Sequence, residues 1–416
     1  MKTKNLNYVG RQAILDKENK IFAFEILYRE TYSDETANIT SSREATAKVL
    51  INLFNNVGIE SIVGNKKAFI NVDDSILACK FENLVNPEKI IFEILENTVV
   101  NEKIIERVKQ LKLSGFKFAL DDFLMDKDTR YLMEFADFVK VDVLNTTQTE
   151  IDEIIKYAKS HNVKLLAEKV EDEETYKRYL DLGFEYFQGY FFCKPKIFVN
   201  KKLSPYQITL IKIFNELSKN YVDLKKIEEL IKGDIKLSYN LLKFINSAFF
   251  SFRKEIVSIK HAIAILGIEK LKIWITLILY TNEFDSDIES NPVFDLALVR
   301  GKMLEELVMK KTKDLVYAGE AYLVGTLSLI DVILGQKKED IIGELRLSKD
   351  IKDAILYNKG LLGELLTAVE LYEIDDFDGV QYILDSYNLS LSDIFEVEEI
   401  AIQYSEKMKK ILTENK

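Results

Sequence analysis

Seven polar residues in the first half of the chain have the types and the spacing for metal-assisted chemistry: Asn71, Glu93, Asp121, Asp122, Lys140, Glu168 and Gln188. Four of them are carboxylates, and carboxylates packed together repel unless protons or cations neutralise them. Hard oxygen donors without His or Cys select Mg²⁺, Mn²⁺ or Ca²⁺ over zinc. Two such ions about 3.5–4 Å apart clamp a phosphate and make a hydroxide from bound water. Lys140 adds a point charge able to hold or polarise that water. A single acid at a strand end is ordinarily a helix cap or a solvated loop residue. Adjacent aspartates occur in ordinary turns. What sets this group apart is its register along the chain.

Each residue sits at or near the C-terminal end of a short apolar run: AFINV (68–72), IIFEI (90–94), KFALD (117–121), FVKVD (138–142), KLLAE (164–168) and FEYFQ (184–188). Helical patterns such as EKIIERVKQLKL (102–113) and IDEIIKYAK (151–159) lie between them. Strand runs alternating with helices of that length predict βαβ units and a parallel sheet. At least six such units favour a barrel close to (β/α)8, in which the C-terminal strand ends converge on one face. From about Leu203 the β-rich runs stop and apolar residues recur every three to four positions. The spacing there predicts helices over 205–218, 224–232, 237–246, 259–266, 270–280, 293–312 and 320–335, with several more beyond. Pro195 and Pro205 bracket the change, so the expected domains are 1–200 and 201–416.

At 416 residues the chain is too long for one ordinary domain, and 47% hydrophobic residues suffice for two cores. Lys and Arg number 57 against 68 Asp and Glu, a net charge of −11. A balance this acidic argues against sequence-independent nucleic-acid binding, so no direct DNA binding is expected. An anionic ligand that arrives with metal ions remains compatible, because local charge outweighs the total. The opening MKTKNLNYVGRQ lacks a signal-peptide core, and the richest apolar stretch, 273–280, is far too short to span a bilayer. Two cysteines, Cys79 and Cys193, cannot make a disulfide framework. A cytoplasmic protein with no membrane contact is expected.

The first half resembles an EAL domain, the modified barrel that hydrolyses cyclic di-GMP to the linear dinucleotide with two Mg²⁺ or Mn²⁺ ions. Arg11-Gln12-Ala13-Ile14 resembles its opening Gln-Pro-Ile segment, and Glu25-Ile26-Leu27-Tyr28-Arg29 stands where Glu-Ala-Leu-x-Arg is expected. Asn71 lies on a matching strand, Glu93-Ile94-Leu95-Glu96 resembles Glu-x-x-Glu, and Asp121-Asp122-Phe123 matches Asp-Asp-Phe. VKVD supplies Lys140 and Asp142, Ala167-Glu168-Lys169-Val170-Glu171 resembles Ala-Glu-Gly-Val-Glu, and Gln188-Gly189-Tyr190 resembles Gln-Gly-Tyr. The resemblance implies that Glu25, Asn71, Glu93 and Asp121 hold one metal, and that Asp121, Asp122 and Glu168 hold or position the other. It further implies Lys140 at the attacking water, Glu168 as general base, Gln188 around the second metal and Arg29 on a ligand phosphate. Glu96 and Glu171 would support nearby loops.

Two departures stand out. Residues 124–130 read Leu-Met-Asp-Lys-Asp-Thr-Arg where the family has Gly-x-Gly-x-x-Ser, a loop that links the second metal site to a dimer interface. Lys169 replaces the glycine of Ala-Glu-Gly-Val-Glu. The second half resembles an HDOD domain through 241–248, 258–267 and 325–331, by pattern more than by invariant chemistry. His161 and His261 are followed by Asn162 and Ala262, so no His-Asp doublet exists and no metal is expected in the helical half. The resemblance as a whole implies a bacterial signalling protein that binds and hydrolyses cyclic di-GMP to linear pGpG. Its helical half would serve as a regulatory or output module for an unknown protein partner, and a homodimer is compatible. The alternative is a catalytically inactive or weak EAL domain acting as a cyclic di-GMP receptor or a protein-interaction scaffold.

Overall fold

The computed structural model describes residues 7–30, 59–77, 86–95, 98–121, 130–189, 203–247, 250, 255–281 and 288–413. The contact pattern divides the chain into two units, Met1–Phe192 and Cys193–Lys416.

The first unit is a closed barrel of eight strands in sequence order: β1 Asn7–Asp16, β2 Ile21–Glu30, β3 Lys67–Val72, β4 Ile90–Ile94, β5 Lys117–Leu120, β6 Phe138–Asp142, β7 Lys164–Glu168 and β8 Tyr186–Phe187. The six apolar runs of the sequence are β3 to β8. From β2 to β8 all neighbours pair in parallel, but β1 runs antiparallel to both β2 and β8. The closed eight-stranded barrel is the modified (β/α)8 architecture expected from the sequence, and its one departure from an all-parallel sheet is the direction of β1. The reason is the tight turn after β1: Asp16 Oδ1 accepts the backbone N–H of Glu18 and Lys20, and Asn19 takes φ 59. So short a link makes a hairpin, whereas a parallel return needs a dozen residues or more.

The crossovers begin and end on local signals. The helix Gln148–His161 opens with a capping box between Thr147 and Glu150, buries Ile151, Ile154, Ile155 and Ala158, and stops at Asn162 in the left-handed region. The helix Glu173–Leu182 opens on Asp172, whose side chain accepts the Thr175 N–H, and ends at Gly183 with φ 101. Such faces cover the barrel, and its strands are buried on both sides; β4 and β6 are buried at every position. Inside, one residue from each strand forms a single apolar floor: Ile14, Ala23, Phe69, Ile91, Ala119, Phe138, Leu166 and Tyr186. Phe138 meets Phe69 and Tyr186 edge-on, with centroids 5.4 and 5.5 Å apart. Burying each large side chain stabilises the fold by about 1.5–3 kcal/mol relative to exposure.

The second unit is helical throughout its described residues. The helix Pro205–Leu217 starts with Ser204 and Gln207 in a capping box and Pro205 in its first turn. Leu224–Lys232 and Ile235–Ile245 follow. Ile259–Thr281 is interrupted at Gly267, with φ 72 and ψ 173, which keeps apart the two helices the spacing indicated. The pattern over 320–335 reads as one helix but forms two, Leu315–Leu327 and Ile330–Leu334. Ser328 stands at the break, donating to the Gly325 carbonyl and accepting from the buried Arg300 guanidinium at 2.8 Å. A tertiary bond there outweighs local helix continuity. Arg300, on the helix Pro292–Thr312, also forks onto Glu373 (2.8 and 2.5 Å) and reaches Glu370 at 3.0 Å. Gly301 and Gly325 let that helix and Leu315–Leu327 touch backbone to backbone. Trp274 is fully buried and belongs to the core. Among the described residues, no helix is long and apolar enough to cross a membrane.

Candidate functional site

The polar residues stand one layer above the apolar floor. Side chains alternate along a strand, so two residues beyond a floor residue the chain faces the interior again. From Ala23, Phe69, Ile91, Ala119, Phe138, Leu166 and Tyr186 that step arrives at Glu25, Asn71, Glu93, Asp121, Lys140, Glu168 and Gln188. On antiparallel β1 the same layer is reached backwards, from Ile14 to Gln12. The ladder repeats the register, placing Asn71 opposite Glu93.

Lys140 is the hub. It is 1% exposed, and its ammonium contacts Glu93, Glu168 at 2.8 Å, and Glu25 and Asp121 at 3.4 Å each. Glu25 also accepts from Asn71 Nδ2 at 3.1 Å and Gln188 Nε2 at 2.8 Å. Gln188 Nε2 reaches Gln12 Oε1 as well, at 2.5 Å. Carboxylate oxygens of Glu25, Glu93 and Glu168 lie within 4.8 Å of one another. All three carboxylates also lie within 3.4 Å of the Lys140 ammonium.

One lysine faces four carboxylates, so the cluster carries surplus negative charge in a dry place. Burial lifts the Glu93 carboxyl well above its usual range, and the neighbouring acids add to that against Lys140. Burial, together with Asp121 and Glu25, pushes Glu168 up to about 8 despite Lys140. Glu25 escapes: burial would raise it, but Lys140 and the amides of Gln188 and Asn71 hold it below its ordinary value. Lys140 is held well above its own value by the four acids, although burial opposes this. Among the described residues, three buried oxygens here have no hydrogen-bond partner: Asn71 Oδ1, Glu93 Oε2 and Gln188 Oε1. Buried polar atoms of this kind need a partner. Surplus negative charge, unpartnered hard oxygens and convergent carboxylates all fit a divalent cation with oxygen ligands.

Asp121 stands directly after β5, part-exposed. Glu171 is exposed beyond the exit of β7 and outside the layer. Asp122, Glu96 and the 124–129 segment lie outside the described residues, as does the side chain of Arg29. Gln12 was not singled out as a site residue from sequence. Its signal was Ile14, but counting backwards requires knowing that β1 is antiparallel. Lys169 takes φ 56, a left-handed conformation costing an L residue about 1 kcal/mol. Its ammonium lies 2.5 Å from Asp142 Oδ2.

Family comparisons agree with this architecture. The EAL domain family matches residues 72–195, and the HDOD domain family matches residues 203–334. YuxH of Bacillus subtilis, described as an uncharacterized protein, is 33% identical over 377 residues, 89% of this chain and 91% of YuxH. CdgJ of Vibrio cholerae, named a cyclic di-GMP phosphodiesterase, is 28% identical over 94% of this chain and 90% of its own length. A crystal structure of an EAL domain protein from Listeria monocytogenes overlaps 45% of this chain and 87% of its own, at 25% identity and a TM-score of 0.36. With an eight-stranded barrel carrying the first match and a helical unit the second, the chain belongs to the EAL–HDOD family.

Proposed function

We propose that the barrel binds cyclic di-GMP and hydrolyses it to linear pGpG with two divalent cations, Mg²⁺ or Mn²⁺, while the helical unit serves as the regulatory or output module. The observation that carries this is the interior layer of Glu25, Asn71, Glu93, Asp121, Lys140, Glu168 and Gln188, with more negative charge than Lys140 balances. The name of CdgJ, a relative along nearly the whole chain, supports the choice of substrate.

Glu25, Asn71, Glu93, Asp121 and Glu168 would hold the cations, and Asp122 would join them. When bound, the cations supply charge neutralisation at the phosphate and lower the pKa of water. The chain's own residues do the rest. Gln188, braced by Gln12, orients Glu25. Lys140 holds the acids together and donates toward the attacking water. With cations holding it ionised, Glu168 would take a proton from the water that attacks phosphorus; the bond to one ribose 3′ oxygen breaks, and Glu168 returns that proton to the leaving oxygen. Arg29 would fork onto a phosphate.

The test is to incubate the pure chain with cyclic di-GMP and Mn²⁺ and to resolve the products by chromatography. Linear pGpG, absent with EDTA and in Glu25→Ala, is the expected result; an intact substrate overturns hydrolysis. A receptor reading draws on Lys140, which already gives the acids an internal cation. It predicts calorimetric binding of cyclic di-GMP without turnover.

A further inference from the structure

The described chain holds seven non-glycine residues in the left-handed region, and five of them are Asn or Asp. Those side chains bond locally and tolerate the conformation. Of the two lysines, Lys313 ends a helix, where a left-handed residue is usual. Lys169 is the exception: it follows Glu168 at the exit of a barrel strand. A strained conformation persists only where its surroundings fix it, and it points toward function.

The surroundings of Lys169 are specific. Asp142, its ion-pair partner at 2.5 Å, is 4% exposed and sits opposite Glu168 in the β6–β7 register. The Asp142 carboxylate also accepts from the backbone of Leu144 (2.8 Å) and Asn145 (3.1 Å) and from Asn145 Nδ2 (2.7 Å). Its oxygens are therefore committed to the turn leaving β6. Val143 N–H meets the Glu168 carbonyl at 3.3 Å, and Val170 N–H meets the Gln188 carbonyl at 3.0 Å. Gly189 makes room for that second contact, since any Cβ there would collide with the Val170 backbone. The segment 168–170 is thus pinned to β6 on one side and to β8 on the other. Two side chains of the interior layer, Glu168 and Gln188, ride on those pins.

We propose that the Lys169–Asp142 ion pair is a latch that holds Glu168, and through Val170 Gln188, in the arrangement that takes up the divalent cations. Lys169 is a positioning residue, and this role rests on the cation-binding reading of the site. A latch and a mere positive charge predict opposite signs. Removing a bare charge beside a cation site tightens cation binding, whereas removing a latch loosens it.

The test is Mn²⁺ binding to the full chain, without nucleotide, by calorimetry or electron paramagnetic resonance. K169M and D142N should each weaken Mn²⁺ affinity about ten-fold, the range for groups that orient ligands. The double variant should be no worse than either single, and K169R should stay within about three-fold of the parent. K169G relieves the backbone and should melt no lower than the parent while still binding Mn²⁺ more weakly, a combination that general destabilisation does not produce. Unchanged or tighter Mn²⁺ binding in K169M, or losses that multiply in the double variant, overturns the latch. A parent chain that binds no Mn²⁺ instead overturns the cation-binding reading itself.

Discussion

Lys140 is surrounded by Glu25, Glu93, Asp121 and Glu168, and almost no water reaches its ammonium. Removing one partner of a buried ion cluster leaves charge uncompensated, at about 3–5 kcal/mol. Lys140→Met should therefore lose about 3 kcal/mol of stability in EDTA at pH 8, read by urea unfolding, and recover much of it when Mn²⁺ is added. A loss that Mn²⁺ does not repair would mean that the acids share Lys140 alone. The parent chain in EDTA has its own signature. Folded Glu168 titrates at about 8, against 4.5 for an unperturbed glutamate. Between those values the folded state keeps a proton that the unfolded state has released. Raising the pH through that window removes stability, by at most about 1.4 kcal/mol per pH unit for this group. Glu93, also raised, acts in the same direction. Urea midpoints that climb from pH 5 to 8 in EDTA would contradict this charge balance.

At the scale of strands and helices, the site depends on where each strand lets go. Gly189, at φ 147, allows the β8 exit to lie against the Val170 backbone. Gly189→Ala should cost about 2 kcal/mol or more in urea unfolding and weaken Mn²⁺ binding in parallel, since Gln188 is its neighbour. Stability lost with Mn²⁺ affinity intact would uncouple the exit from the site. Strands β3 to β8 were legible because burial on both faces writes nearly continuous apolar runs such as Ile90–Ile94, broken only at Glu93. The polar residues that interrupt or end those runs had to face inward or cap a turn, so Asn71, Glu93, Asp121, Lys140 and Glu168 were legible too. Strands β1 and β2 were not, because NYVGRQAILD mixes polar and apolar residues without clean alternation. Glu25 was reached only through family resemblance, and Gln12 was missed. Direction was missed as well, because it is set by one tight turn at Asp16–Lys20 and not by the strand residues. In the helical unit, spacing found Leu224–Lys232 to the residue, but not the break at Ser328. That break is fixed by Arg300, on another helix.

The whole chain is acidic, at −11, and its interior layer sets four carboxylates around one lysine. A dinucleotide carrying two phosphates is repelled from such a place unless divalent cations arrive with it. Cyclic di-GMP alone should therefore leave the melting curve unmoved, while cyclic di-GMP with a divalent cation shifts it. Ca²⁺, which suits oxygen ligands, serves as the divalent cation for this measurement. A ligand at one hundred times its Kd stabilises the state that binds it by about 2.7 kcal/mol. Each unit has its own buried core, the barrel floor in one and residues such as Leu210, Phe214, Trp274 and Leu304 in the other. Fragments 1–200 and 201–416 should accordingly fold separately, and only the first should respond to ligand and cation. The proposed output role of the helical unit adds a reciprocal requirement. If the ligand state alters how that unit holds a protein partner, the partner must alter cyclic di-GMP affinity by the same factor. Titrating cyclic di-GMP into the full chain with and without a captured partner measures that factor directly. A ratio of one with a bound partner would make the two units independent modules joined only by the chain.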